Sequence, residues 1–101
     1  MFELCIQNID DVVIAEKYKK IINRIELNSA IEVGGLTPDI EILKIAKQKT
    51  TIPIIAMLRV RSGDFIYTDL EFVAMYESAK NLLKYADGIA FGALNDDNTI
   101  D

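Results

Sequence analysis

Two arginines, Arg59 and Arg61, stand two residues apart at the end of an apolar run that begins at Pro53, and Gly63 and Asp64 follow them. At the mouth of a strand such a pair can clamp a carboxylate or phosphate through planar, bidentate hydrogen bonds. A second row lies upstream, where Arg24, Glu26 and Asn28 alternate with Ile25 and Leu27 and lead into Ser29. Glu26 could serve there as a general base, or simply neutralise Arg24, since buried charges need partners whether or not they react. Glu26, Asn28, Ser29, Arg59, Arg61 and Asp64 are therefore the candidate ligand pocket, and a small anion is its natural occupant. No histidine is present, which removes imidazole catalysis and most zinc chemistry. The single cysteine, Cys5, makes neither an intrachain disulfide nor a multi-thiolate site by itself.

These residues are positioned by alternating strand-like and helix-like segments. Strands are expected over Phe2 to Ile6, Asn23 to Leu27, Pro53 to Val60 and Asp87 to Phe91, from their apolar and β-branched content. Helices are expected over Ile9 to Ile22, Leu36 to Lys49 and Asp69 to Tyr85. Asn8 or Asp10 would cap the first. Thr37 as N-cap, Pro38 at the first helical position and acidic Asp39 and Glu41 open the second. Thr68 and Glu71 form a capping box for the third. Gly92 to Asp101 reads as a polar loop, and nothing marks a linker or second domain.

Strict strand–helix alternation predicts an α/β fold with a parallel sheet, since each parallel connection needs a crossover. Side chains alternate between strand faces, so Glu3 and Cys5, then Arg24, Glu26 and Asn28, then Ile55, Met57, Arg59 and Arg61 share one parity. Polar residues keep to that parity. An open doubly wound sheet would be apolar on both faces, whereas a barrel has helices outside and room for a polar network within. Gly34 and Gly35 could present free amides to an anion, but their spacing is not that of a P-loop, and a tight turn before a capped helix explains them. The lysines at 17, 19 and 20 read as a solvated outer face.

The chain has 101 residues, half of them apolar, which suffices for one small domain with a modest core. Its net charge of −5 offers no field for a phosphate backbone, so nucleic acid is not expected as a partner. No apolar run is long enough to span a bilayer, and the opening MFELCIQNIDD lacks the basic start and apolar stretch of a signal peptide. The expected setting is the cytosol, without membrane contact.

Several segments also resemble the CutC family of copper homeostasis proteins. They are Glu3-Leu-Cys5, Asn23-Arg-Ile-Glu-Leu-Asn-Ser29, Gly34-Gly-Leu-Thr-Pro38, Met57-Leu-Arg-Val-Arg-Ser-Gly-Asp-Phe-Ile-Tyr67, Ala86-Asp-Gly-Ile-Ala-Phe-Gly-Ala-Leu94 and Ile100-Asp101. The resemblance implies a (β/α)8 TIM barrel and a cytosolic role in copper handling. It covers only the N-terminal part of such a barrel, about four strands and three helices. An incomplete barrel, a truncated product or self-association into a homo-oligomer is the corresponding expectation. The resemblance also offers cysteines at positions 5 and 28 as copper ligands, and here position 28 is asparagine. Copper(I) favours thiolate and thioether, so Cys5 with Met57 is the remaining candidate metal pair; the plainer reading makes both ordinary packing residues. The other functional reading is a TIM-barrel-type enzyme of unknown reaction that binds a small anionic metabolite, and a third is a fragment without activity of its own.

Overall fold

Four parallel strands hydrogen-bond in the order in which the chain makes them. In the computed structural model, which describes residues 2–91, they are β1 (Glu3–Ile6), β2 (Arg24–Leu27), β3 (Ile54–Leu58) and β4 (Gly88–Phe91). Between them run α1 (Ile9–Glu16), α2 (Ile40–Lys49) and α3 (Asp69–Leu82), with a 3-10 turn at Ile31–Val33. Because each crossover advances the sheet by one strand in the same direction, and such crossovers share one hand, all three helices fall on one face. This is the strand–helix repeat of an incomplete barrel, and it is α/β as expected.

Strand parity comes out as the alternation requires. Ile6, Ile25, Leu27, Ile54, Ala56 and Leu58 are buried beneath the helices, where they meet Val12, Ala15, Leu43, Ala46, Met75 and Leu82. Full burial of one such large aliphatic side chain contributes about 1.5–3 kcal/mol, so this layer dominates the stability. The opposite parity carries Cys5, Glu26, Ile55 and Gly88 in one cross-sheet row, with Met57 and Ala90 in the next.

Each strand starts one residue later than the sequence expectation and β3 also ends two residues earlier, at Leu58, and three helix boundaries differ as well. First, α1 ends at Glu16 instead of Ile22, and residues 17–21 continue in tighter turns such as Lys17 N–H to Ile14 O and Tyr18 N–H to Ala15 O. Val12 and Ala15 face the sheet, but the next inward position is Lys19, so no apolar residue holds another turn in place. Second, α2 begins at Ile40 with Asp39 as its N-cap, the carboxylate accepting from the Glu41 and Ile42 amides, so Thr37 is not the cap and Pro38 is not the first helical residue. The Thr37 hydroxyl is bonded to the Arg59 backbone and so is not free to cap, which leaves that place to Asp39. Third, α3 stops at Leu82, short of Tyr85. The Asn8 cap of α1 and the Thr68–Glu71 capping box of α3 both form. The expected loop from Gly92 to Asp101 lies outside the described residues.

Candidate functional site

The C-terminal ends of the strands carry most of the candidate residues. After β2, Ser29 and Leu36 form an antiparallel bridge that closes a loop turning at Ala30, Gly34 and Gly35, all three with positive φ. The Gly34 and Gly35 amides donate within that loop, to the carbonyls of Ile31 and Ala30. They are therefore spent on the turn and are not an open anion cradle. Asn28 is buried, and its amide group donates at 3.3 Å to the Glu26 carboxylate and to the Glu26 carbonyl. The Ser29 hydroxyl donates to the Thr37 carbonyl at 2.8 Å.

Thr37 ties this loop to the end of β3. Its hydroxyl accepts from the Arg59 amide at 2.9 Å and donates to the Arg59 carbonyl at 3.0 Å, while the Thr37 amide donates to that same carbonyl. The Arg59 side chain extends the tie. Its guanidinium donates to the carbonyls of Val33 at 3.2 Å, Gly35 at 3.5 Å and Gly63 at 2.8 Å, and lies over the Phe65 ring at 4.8 Å. The residue is 8% exposed, its Nε is buried without a partner, and no carboxylate pairs with it among the described residues.

Arg61 is engaged differently. It pairs with Glu71 and with Asp64, donates to the Ile66 carbonyl at 2.7 Å and lies over the Tyr67 ring at 4.9 Å. The Glu71 hydrogen bond holds the guanidinium pKa above its usual value, and the same bond, followed by the Thr68 amide, pulls the Glu71 carboxyl below its own. Arg59 and Arg61 thus go to separate partners, the first to backbone carbonyls and the second to carboxylates. Asp64 serves the loop as well, its carboxylate accepting from the Ile66 amide. Beside Arg59 lies a cleft of about 230 Å³ lined by Met57, Leu58, Phe65, Tyr67, Ala90 and Phe91 together with Gly34 and Arg59. The Tyr67 hydroxyl is buried, with no hydrogen-bond partner among the described residues. Sequence reasoning missed Thr37, Phe65 and Tyr67 as site residues. All three stand in segments that carry the family resemblance, Thr37 in Gly34-Gly-Leu-Thr-Pro38 and Phe65 and Tyr67 in Asp64-Phe-Ile-Tyr67.

At the other end of the sheet Glu3 and Arg24, level with each other on β1 and β2, form an ion pair, so the carboxylate that meets Arg24 is Glu3 and not Glu26, the neutralising partner read from the sequence. Cys5 sits two residues further along β1, exposed and opposite Glu26. Burial of its thiol, then the carboxylates of Glu26 and Glu3, push its pKa up, so the proton is held more firmly than on a free cysteine.

The whole length, residues 1–101, matches the CutC family model. The chain belongs to the CutC family. It is 43% identical over 100 residues to the family protein CutC of Treponema denticola, across 98% of this chain and 40% of that protein. The copper homeostasis protein cutC homolog of Drosophila melanogaster is 44% identical across 97% of this chain and 37% of its own length, and that of Homo sapiens is 39% identical across 100% and 37%. The crystal structure of the putative copper homeostasis protein CutC from Streptococcus agalactiae superposes with a TM-score of 0.92 at 34% identity, over all of this chain and 49% of that one. This CutC family chain therefore spans about 40% of the length of the curated relatives it matches.

Copper, the metal in those relatives' names, finds a poor donor set in one copy of this CutC family chain. Cys5 and Met57 share the open face, but β2 runs between their strands and Met57 lies one row further on. From strand spacing and rise their Cα atoms are about 12 Å apart, with side chains standing off the sheet in parallel. Residue 28 offers a hard amide, and no cluster of three or more His, Cys, Asp or Glu exists among the described residues. The residues present do not fit an intrachain copper(I) site. No described helix is long and apolar enough to cross a membrane.

Proposed function

We propose that this chain takes part in copper homeostasis, the role carried in the names of its human, mouse and fruit-fly relatives, and does so without a copper(I) site inside a single copy. Its working end in this reading is the C-terminal end of the strands, where barrel proteins of this architecture assemble their ligand sites. The observation that carries the reading is the isolation of Cys5: one thiol, its proton held by partial burial and by neighbouring carboxylates, with Met57 two strands away and no cluster of three or more metal-ligating His, Cys, Asp or Glu among the described residues. A free thiol of this kind suits a reducing compartment such as the cytosol. The test is an equilibrium titration of the reduced protein with copper(I) against a chromogenic chelator. Less than one ion retained per monomer is expected. A one-to-one monomeric complex that is lost in both Cys5→Ala and Met57→Leu would overturn the reading.

A second reading is favoured by the place of Cys5 on β1, an edge strand of the sheet, where it is exposed. Thiols from two copies could there share one copper(I) ion, two-coordinate thiolate binding being well suited to that metal. Light scattering after gel filtration separates the two. Copper-dependent dimers abolished by Cys5→Ala support sharing, and a copper-independent mass excludes it.

A further inference from the structure

Two residues that line the cleft carry buried groups with no hydrogen-bond partner among the described residues, the Arg59 Nε and the Tyr67 hydroxyl, on side chains 8% and 7% exposed. A buried donor left unpaired costs free energy, and a buried charge without a counter-charge costs more, so such groups call for a specific explanation. Loop closure explains only part of Arg59. Its two terminal nitrogens, bonded to the carbonyls of Val33, Gly35 and Gly63, hold the strand-end loops together. That duty needs hydrogen-bond donors and leaves both the positive charge and the Nε unanswered. Tyr67 has even less structural need of its hydroxyl, because its ring already packs edge-on against Phe72 and beneath Arg61.

We propose that this cleft binds a small monocarboxylate with an apolar body, its carboxylate oxygens taking the Arg59 Nε–H and the Tyr67 O–H. The Arg59 Nε–H can only donate and the Tyr67 hydroxyl can donate beside it, which favours an acceptor, and a guanidinium with no carboxylate on it among the described residues favours an anion. One cationic group with its terminal nitrogens already occupied matches a single negative charge better than a phosphate with several acceptor oxygens. Met57, Phe65, Ala90 and Phe91 supply an apolar wall for the rest of the molecule. At about 230 Å³ the cleft falls below the roughly 300–1,000 Å³ of drug-sized sites, so the ligand is small. Phe65 covers the guanidinium and is itself 40% exposed, and its displacement opens the Nε to the incoming carboxylate. The inference rests on placing the working end at the C-terminal ends of the strands. It is independent of copper, which the metal titration tests separately.

The experiment uses benzoate as the probe, with inorganic phosphate and the neutral benzyl alcohol alongside, followed by thermal shift and by calorimetric titration. A ligand bound only by the native state raises the melting temperature by mass action. Saturable stabilisation by benzoate is expected, with benzyl alcohol weaker by at least about tenfold, and Tyr67→Phe weakening benzoate about tenfold while the free variant stays folded. Arg59→Lys also removes the Nε–H but disturbs the loops, so Tyr67→Phe is the deciding variant. Absence of a benzoate effect on the folded protein, or equal affinity in Tyr67→Phe, overturns the site. Phosphate binding as well as benzoate, with the same loss in Tyr67→Phe, overturns the monocarboxylate class.

Discussion

The α-carbon of Gly35 lies so close to Asn28 that a Cβ placed on it would stand 2.3 Å from the Asn28 Oδ1. Gly35 also has φ +93°, a region side chains rarely adopt. Because Asn28 is buried and cannot swing into solvent, Gly35→Ala must move either the loop or β2. A loss of about 2–3 kcal/mol is expected in urea denaturation, from backbone strain plus the clash. Wild-type stability in that variant would show that the loop is free to re-form around residue 28.

Asparagine at position 28 also governs the metal chemistry. Residue 28 directly follows β2, the strand adjacent to that of Cys5, two positions beyond its partner Glu26, and from strand spacing and rise the two Cα atoms are about 8 Å apart. Asn28→Cys therefore brings a second thiol far closer to Cys5 than Met57 stands. The variant is expected to retain about one copper(I) ion per chain against a competing chelator, with the ion lost again in the Asn28→Cys, Cys5→Ala double variant. No gain over wild type would show that the two strand positions cannot converge on one ion.

Thr37 holds two loops through one hydroxyl, since that oxygen both accepts from and donates to the Arg59 backbone. Thr37→Val keeps the shape and removes both bonds, leaving the Arg59 amide without its acceptor. A loss of about 1–3 kcal/mol is expected, with Thr37→Ser recovering most of it. Equal stability of the valine variant would assign the tie to the remaining Thr37 N–H to Arg59 O bond alone.

What could be read in advance follows from where each partner lies in the sequence. Ile25 and Leu27 against Arg24 and Glu26 is a period-two pattern, and it alone places the helix-covered face and the open one. Thr68 and Glu71 are three residues apart, so their capping box is written locally. The duties of Thr37 and Arg59 are not, because each depends on a backbone group brought in from more than twenty residues away. Thr37 suits a cap by sequence because Pro38 and Asp39 follow it, yet a tertiary bond takes its hydroxyl and leaves capping to Asp39. Glu71 belongs to both classes: its box with Thr68 is visible, whereas its pairing with Arg61 needs the folded loop. The separation of Cys5 from Met57 required the strand order, which parity does not supply.

Stability should fall on both the acid and the alkaline side of neutrality, for separate reasons. Glu16, held by Thr51 and Thr50, Glu71, held by Arg61 and Thr68, and Asp87, held by Lys47 and the Ile54 amide, all have carboxyl pKa values lowered by folding. A lowered folded-state pKa means that the unfolded chain takes up protons first. The contribution of these groups is thus fully present above their unfolded values of 4.5 for Glu and 3.8 for Asp and is lost as pH falls through the folded ones. Cys5 works in the opposite sense. Its raised pKa favours the folded state below the unfolded value of 9.0, and that contribution is lost as pH rises through the folded value. Urea midpoints are therefore expected to be flat between about pH 6 and 8 and to decline below about 4.5 and above about 9. Glu16→Gln should lower the midpoint at neutral pH and flatten the acid limb, and Cys5→Ala should flatten only the alkaline one. An acid limb unchanged in Glu16→Gln would show that the Thr50 and Thr51 contacts do not hold the carboxylate in solution.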